Sequence, residues 1–337
     1  MSRFFKKSFR HRSPFARRIH RQKSSIQGLA IGVVAMFGIA VVGAGILGGA
    51  VAGHQKLAKA QITTAVSEIL EYKQETILDI RTKAFDELDI QAQNILVTDL
   101  VTGEVWFERD SYSPVPLASV AKLATTYVAH KGITNEIITI SNSAISQLGD
   151  FGLSVGQKVS RDDLIRMALV VSSNDAAYAL GEAYEQNTNI SIVDALNWFA
   201  GDNGWETLHF NNPTGLDITA DNGDDISGAT GSAKDITELL TLVATENIDV
   251  FETSTDVAVA ELATLLESRA NNTNKIRSSL SGLRISKTGF TDLAGGNLVF
   301  VFEPEIARPF AVVILGSGYD ERFDDAEKIV NTIYENL

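Results

Sequence analysis

Strand-like segments lie near both ends of the last three quarters of this 337-residue chain, and helix signals fill the region between them. The strand segments are rich in β-branched and aromatic residues or alternate in polarity. They cover residues 94–100, 104–107, 283–285, 297–302 and 310–315. Residues 324–337 predict a closing helix. One sheet built from both ends, with a helical region inserted, lets these strands share a core, so we predict an α/β (α+β) domain over residues 92–337.

The middle of the chain repeats one helix-start signal, a serine followed three residues later by an aspartate and then by an apolar periodic run. It occurs at Ser160 and Asp163, at Ser191 and Asp194, and at Ser232 and Asp235. These signals predict a mostly helical middle. The stretch 217–231, rich in Gly, Asp, Asn and Ser, predicts a surface loop.

The N-terminal part has a different composition. Residues 1–27 contain nine Lys or Arg and no acid, and a charge-free apolar run follows from Gly28 to Gly53. A helix of that length can cross a hydrocarbon layer of ~30 Å, whereas a secretory signal core needs only ~7 to 15 apolar residues. We predict a single transmembrane helix over residues 28–53, with the basic tail cytoplasmic and the rest of the chain outside the cell membrane. Ala50-Val-Ala52 also fits a cleavage site, so removal of this segment stays open.

Apolar residues spaced mostly three and four apart predict an amphipathic helix over residues 54–91. Such a helix is long enough to act as a stalk that holds the following domain away from the bilayer. A helix packed on that domain fits the same pattern equally well.

Composition excludes several classes of function. The absence of cysteine excludes disulfides, thiolate metal sites and a cysteine nucleophile. Beyond the basic tail, 42 acidic residues stand against 20 basic ones, which disfavours nucleic acid as a partner. No paired-histidine motif indicates zinc, and no motif indicates another cofactor. The sequence leaves the oligomeric state open.

The first motif that carries chemistry is Ser119-Val-Ala-Lys122, which follows a break favoured by Pro114 and Pro116. A helical run begins there, so Ser119 is predicted to lie at a helix start. The i, i+3 spacing puts the serine hydroxyl and the lysine amine on one helix face, where a lysine with a lowered pKa takes the hydroxyl proton. A backbone N–H at the same helix end suits an oxyanion. In isolation, this spacing is more typical of an exposed helix pair.

The second motif, Ser172-Ser-Asn174, separates the helical runs 162–171 and 176–185 and is predicted to form a loop. There the Ser172 hydroxyl can relay a proton to a leaving amine, and the Asn174 amide can hold a substrate carbonyl or the lysine. On its own, the segment is more typical of a plain helix cap.

The third motif, Lys287-Thr-Gly289, follows an alternating strand. A lysine and the Thr288 hydroxyl at a strand edge suit a substrate carboxylate, and Gly289 leaves room for substrate against the backbone. The Phe290 N–H is a candidate second oxyanion donor. Alone, the motif indicates a strand that ends in a turn. All three motifs in this order within one domain indicate an active-site serine enzyme that performs acyl transfer.

Further segments extend this pattern over most of the chain. They are Asp99–Gly103, Pro116–Ser119, Phe210–Asp217, Asn272–Asn274 and Lys287–Gly295. On these residues, from about 92 to 337, the chain resembles the serine D-alanyl-D-alanine carboxypeptidases, the low-molecular-weight penicillin-binding proteins of the peptidase S11 family. The resemblance implies the fold that penicillin-binding proteins share with serine β-lactamases.

The resemblance also implies the reaction. Ser119 would be acylated by the penultimate D-alanine of a peptidoglycan stem peptide, with release of the terminal D-alanine, and water would then free the enzyme. β-Lactam antibiotics would acylate the same serine as covalent inhibitors. Lys122 is implied as the base, and Ser172 and Asn174 are implied to handle protons and substrate. The Ser119 and Phe290 N–H groups are implied to form the oxyanion hole.

Substrate binding is assigned in the same way. Lys287 and Thr288 are implied to bind the terminal carboxylate beside Gly289, and Arg322 resembles an arginine that aids this binding. Two details depart from the usual pattern: Val120-Ala121 precedes the lysine, and Ser173 stands where Gly or Ala is common. They affect the expected substrate preference and rate more than the mechanism.

Three alternatives stay open at this point. A D,D-endopeptidase acting on cross-linked peptidoglycan would use the same groups. A class A β-lactamase would need a Glu-x-x-x-Asn stretch, and at the expected distance residues 206–211 have one residue too many between Glu and Asn. A non-catalytic cell-wall-binding protein would keep the pocket only for recognition.

Overall fold

The computed structural model describes residues 51–149, 152–220, 222–246, 249–256 and 271–337. The chain divides into two compact units, residues 1–87 and 88–337. In the first, helix α1 spans Val51–Asp86 and ends five residues before the end of the helix predicted over residues 54–91. None of the helices in the described ranges is both long and apolar enough to cross a membrane. The predicted span lies outside these ranges except for residues 51–53.

The second unit contains β-strands and helices in an order that brings its two ends together. The strands are β1 Asn94–Asp99, β2 Val105–Arg109, β3 Val115–Pro116, β4 Ile137–Thr139, β5 Lys158–Ser160, β6 His209–Phe210, β7 Ile218–Thr219, β8 Asp225–Ile226, β9 Ala229–Gly231, β10 Leu283–Thr291, β11 Gly295–Glu305 and β12 Arg308–Ser317. The α-helices are α2 Lys122–Gly132, α3 Asn142–Ile145, α4 Arg161–Val170, α5 Asn174–Thr188, α6 Ile192–Asn203, α7 Ala233–Glu246, α8 Asp249–Glu252 and α9 Glu321–Glu335.

The main sheet has five antiparallel strands in the order β10-β11-β12-β1-β2. It confirms the sheet predicted from both ends of the domain. Residues 298–302 and 310–315 are completely buried, as expected for central strands covered on both faces. Helices α7 and α9 pack against these strands. Strand β10 lies at one edge and continues to Thr291, beyond the strand predicted at 283–285.

The helical region packs around α2, whose first eight residues are buried and which contacts α4, α5 and α6. Two predicted caps form as expected, because Ser160 and Ser232 accept from the N–H groups of Asp163 and Asp235. The hydroxyl of Ser191 instead accepts from the Val193 N–H, one residue earlier than predicted.

The segment 217–231 is more ordered than the surface loop predicted for it. It contains the hairpin of β7 and β8, and it ends in β9, which pairs with both β3 and β6. The correction has a physical reason: β9 is held by strands far away in the sequence, and local composition does not show this pairing.

Candidate active site

The nucleophile turn is a 3-10 turn over Ala118–Ala121 that leads directly into α2. It confirms the prediction that Ser119 lies at a helix start. Ser119 itself is half-buried, whereas Ala118 and Val120 on either side of it are completely buried. Ala118 has a φ of 48°, a left-handed conformation that is uncommon for alanine. The turn therefore exposes the serine hydroxyl from a tightly packed backbone.

The Lys122 amine is completely buried and touches three oxygens. Its Nζ donates to Ser119 Oγ at 2.6 Å, to Asn174 Oδ1 at 2.8 Å and to the Thr214 carbonyl oxygen at 2.8 Å. Burial disfavours the ammonium form and lowers the pKa of Lys122 to about 7. A substantial fraction of the lysine is therefore a neutral amine near pH 7.

The partners of Lys122 also fix the direction of its lone pair. The Asn174 Oδ1 and the Thr214 carbonyl only accept hydrogen bonds, so they take both N–H bonds of the neutral amine. The remaining tetrahedral position faces Ser119 Oγ at 2.6 Å. The lone pair is thus directed at the hydroxyl proton, as a general base requires.

Ser172 and Ser173 of the second motif lie between α4 and α5 as predicted, whereas Asn174 is the first residue of α5. Ser172 has a φ of 61°, and Ser173 caps α5 by accepting from the Ala176 N–H at 3.1 Å. Asn174 Nδ2 donates to the Leu148 carbonyl at 2.7 Å, which leaves Oδ1 directed at Lys122. Its amide is therefore held by partners on both sides.

The third motif lies within edge strand β10. Lys287 is buried, and its Nζ donates to Ser172 Oγ at 2.9 Å and to the Thr288 carbonyl at 2.8 Å. Burial, followed by repulsion from the charges of Lys122 and Arg322, lowers the pKa of Lys287 well below its usual value. The second and third motifs are thus joined by a direct hydrogen bond.

Gly289 and Phe290 lie against the nucleophile turn. A Cβ on Gly289 would come within 2.7 Å of the Leu117 carbonyl oxygen and 3.2 Å of the Ser119 nitrogen. Only glycine permits this approach. The Phe290 side chain is half-exposed and meets the Tyr319 ring edge-on at 4.9 Å.

Arg322 lies in the first turn of α9 and is 4% exposed. One of its terminal nitrogens donates to the Gly289 carbonyl at 2.8 Å, and its guanidinium lies over Tyr319 and Phe323. Arg322 therefore holds the backbone of β10 at Gly289 through this hydrogen bond. Contact between Arg322 and a substrate carboxylate stays a prediction.

This arrangement is suited to acyl transfer. The half-buried hydroxyl of Ser119 accepts from the amine of Lys122. The hydroxyl of Ser172 accepts from a second buried lysine, Lys287. The family model described as D-alanyl-D-alanine carboxypeptidase, peptidase S11, matches residues 81–317. The chain belongs to this family. It is accordingly a serine hydrolase of the D-alanyl-D-alanine carboxypeptidase type.

Relatives of this S11 carboxypeptidase include both peptidase types. It is 30% identical over 249 residues to a D-alanyl-D-alanine endopeptidase of Pseudomonas aeruginosa, covering 72% of this chain and 76% of the relative. It is 24% identical over 262 residues to the D-alanyl-D-alanine carboxypeptidase DacD of Escherichia coli, covering 74% of this chain and 64% of the relative.

Solved structures show the same fold. Penicillin-binding protein D2 of Listeria monocytogenes, in its cefotaxime-bound form, matches with a TM-score of 0.61 and 25% identity, over 73% of this chain and 98% of that one. A D-alanyl-D-alanine carboxypeptidase of Mycobacterium tuberculosis matches with a TM-score of 0.62 and 21% identity, over 74% and 92% of the two chains. The mixed α/β prediction is confirmed.

Two groups in the site of this carboxypeptidase were not assigned from the sequence. The Thr273 hydroxyl accepts a hydrogen bond of 2.6 Å from Thr288 Oγ1. The Thr214 carbonyl reaches Lys122 because Asn212 Oδ1 accepts from the Thr214 and Gly215 N–H groups and holds the turn. In the sequence, these two residues stood out only because they lie in the segments Asn272–Asn274 and Phe210–Asp217, which belong to the family resemblance but had no assigned role.

Proposed function

We propose that this enzyme removes the terminal D-alanine from peptidoglycan stem peptides through an acyl-enzyme on Ser119. The observation that supports this most strongly is the contact between Lys122 Nζ and Ser119 Oγ at 2.6 Å, with the other two positions of the amine occupied by acceptors. A buried amine held in this way activates a serine without a histidine.

The first half of the reaction forms the acyl-enzyme. Ser119 Oγ attacks the carbonyl carbon of the penultimate D-alanine while Lys122 takes the hydroxyl proton. The N–H groups of Ser119 and Phe290 donate to the oxyanion. The peptide C–N bond then breaks, the leaving amine takes the proton of the Ser172 hydroxyl, and the Lys287 ammonium that contacts Ser172 replaces it. In the second half water attacks the ester, its proton passes through Ser172 to Lys287, and Lys122 returns its proton to Ser119 Oγ as the C–O bond breaks.

The substrate carboxylate is proposed to bind at Lys287 and Thr288. Lys122 and Arg322 lie close enough to Lys287 for their positive charges to disfavour its ammonium form. A bound carboxylate would offset that repulsion and favour the charged form of Lys287. The Thr273 hydroxyl orients Thr288 from the other side.

β-Lactams are proposed to acylate Ser119 in the same way. Penicillin-binding protein D2 of Listeria monocytogenes, which shares the fold, has been solved with ampicillin and with cefotaxime bound. We expect a stable penicillin adduct because residues 206–211 do not match the Glu-x-x-x-Asn stretch with which class A β-lactamases activate the deacylating water. Rapid penicillin hydrolysis would contradict this part of the proposal.

A D,D-endopeptidase is the second candidate. Two relatives carry that name, the one from Pseudomonas aeruginosa at 30% identity and one from Escherichia coli at 25%. Both activities use the same reacting groups and differ in the amine that leaves. Release of D-alanine from a pentapeptide, compared with cleavage of cross-linked dimers at equal enzyme concentration, distinguishes them.

We also propose that the enzyme is anchored in the cell membrane by residues 28–53, with residues 1–27 cytoplasmic. The basic tail and the apolar run in the sequence support this topology. In intact cells, protease added from outside should cleave the catalytic unit and leave a tag at the N-terminus protected. Cleavage of both would contradict the topology.

Labelling with a fluorescent penicillin, followed by peptide mapping, tests the central proposal. The adduct should lie on Ser119 and disappear in Ser119→Ala, whereas Ser143→Ala, an exposed serine control, should label normally. An undiminished adduct in Ser119→Ala would refute the assignment.

A further inference from the structure

Asn297 is a completely buried amide that connects three segments next to the nucleophile. It lies on β11, and its Nδ2 donates to the Pro116 carbonyl at 3.1 Å and to the Leu117 carbonyl at 3.0 Å. Its Oδ1 accepts from the Gly316 N–H, at the end of β12, at 2.8 Å. All these partners are backbone groups, so the side chain of Asn297 fixes the backbone of residues 116–117 relative to β11 and β12.

The position of Asn297 in the sheet explains which part of the site it controls. Asn297 pairs with Gly289 across β10 and β11. Gly289 in turn lies against the Leu117 carbonyl, the same oxygen that accepts from Asn297. Gly289 thus provides the space for close approach of the turn to the strand, and Asn297 provides the hydrogen bonds that hold it there.

The nucleophile turn requires such support because Ala118 has a φ of 48°. A non-glycine residue keeps this sparsely populated conformation only when its surroundings hold it. On one side, the Leu117 N–H donates to the Ala229 carbonyl at 2.9 Å. On the other side, the Leu117 carbonyl is held by Asn297. Leu117, two residues before Ser119, is therefore held at both its N–H and its carbonyl.

We propose that Asn297 is a positioning residue that sets the separation between the two oxyanion donors, the N–H groups of Ser119 and Phe290. One donor belongs to the nucleophile turn and the other to β10, and Asn297 joins these two segments through Leu117 and the pairing with Gly289. The inference rests on the proposed acyl-enzyme mechanism.

An amide is the side chain that meets this need. It offers two N–H donors to two carbonyls and one acceptor to an N–H, within one rigid plane. Aspartate has the same shape but would place an oxygen against the Pro116 and Leu117 carbonyls. Serine keeps a single hydroxyl donor on a shorter side chain.

The test measures acylation of the full chain by a penicillin in Asn297→Asp, Asn297→Ala and Asn297→Ser. Stopped-flow kinetics separate the dissociation constant of the non-covalent complex from the first-order acylation constant. Loss of one oxyanion donor costs about 10²- to 10³-fold in rate, so misplacement should slow acylation by about 10- to 100-fold. The dissociation constant should stay within about twofold, and the pH midpoint that Lys122 sets should not move.

Asn94 provides the matched control. It is also a buried asparagine of the same sheet, and its Nδ2 donates to the Asp110 carbonyl at 2.8 Å, but it lies on β1. Asn94→Asp and Asn94→Ala should lower the melting temperature and leave the acylation constant within about twofold. Asn297→Ser, the mildest change, should fold and be slowed less than Asn297→Ala.

An acylation constant for Asn297→Ser and Asn297→Ala equal to that of the wild type would overturn the inference. So would equal slowing in the Asn94 variants, because it would show a general loss of stability. Failure of the proposed function is a different result, since wild-type protein would then form no adduct on Ser119.

Discussion

Replacing Asn174 by aspartate tests whether the neutral amine of Lys122 is the base. The change keeps an oxygen 2.8 Å from Lys122 Nζ and adds a negative charge in a buried site, and it also replaces the N–H donor to the Leu148 carbonyl with an oxygen. A carboxylate this close favours the ammonium form and raises the pKa of the lysine by roughly 1 to 3. The substitution thus changes the pKa of Lys122 while the lysine itself stays in place.

The size of the effect follows from the fraction of neutral amine. With a pKa of about 7, about half of Lys122 is neutral at pH 7. With the pKa raised by 1, about one tenth is neutral, and acylation at pH 7 should be about fivefold slower; with the pKa raised by 2, it should be about fiftyfold slower. The rate should recover at higher pH, with a midpoint between about 8 and 10.

The assay is the penicillin acylation rate measured from pH 5.5 to 10.5 in the wild type, in Asn174→Asp and in Asn174→Ala. The alanine variant removes the acceptor without adding charge, so its midpoint should not rise. An Asn174→Asp midpoint that stays at about 7 would refute the reasoning, because a slower rate would then reflect altered geometry and not the protonation of Lys122.

Three further predictions concern stability and the edge strand. The free energy of unfolding should rise with pH between 7 and about 9.5, by up to about 1.4 kcal/mol per pH unit, because unfolded Lys122 keeps a proton that the folded form has lost. Lys122→Met should remove the contribution of Lys122 to this slope in urea titrations at several pH values, and it should leave the contribution of Lys287, whose pKa is also lowered by burial. Gly289→Ala should slow penicillin acylation by about 10²-fold, because its Cβ would press against Leu117 and move an oxyanion donor. Arg322→Gln should weaken the support of the Gly289 carbonyl and raise the KM of a peptide ending in D-alanyl-D-alanine by about tenfold or less.

Each of these predictions has an outcome that contradicts it. A stability slope that is not reduced in Lys122→Met would assign it to other groups. If Gly289→Ala were acylated by penicillin at the wild-type rate, the nucleophile turn and β10 could move apart without any loss of acylation rate. An unchanged KM in Arg322→Gln, with kcat also unchanged, would mean that Arg322 serves neither the strand nor the substrate.

Local sequence patterns determined much of this protein. The strands of the main sheet and the helical region between them were predictable because burial and alternation leave a period in the sequence. The positions of Ser119 at a helix start and of Ser172 between two helices were predictable for the same reason, whereas Lys287 was predicted to follow a strand and lies inside β10. The three motifs also indicated acyl transfer, because the types of the reacting groups and their order along the chain can be read directly from the sequence.

Only the tertiary structure decided how these groups behave. The pKa of Lys122 depends on burial, and its third partner is a carbonyl 92 residues away in the chain. The sequence marked Asn297 merely as a strand residue, yet its amide reaches the Leu117 carbonyl 180 residues away. The guanidinium of Arg322 donates to the Gly289 carbonyl in β10, a contact that the sequence did not indicate. In each case the deciding contact joins distant segments through backbone oxygens, whose positions follow from packing and leave no mark in local residue patterns.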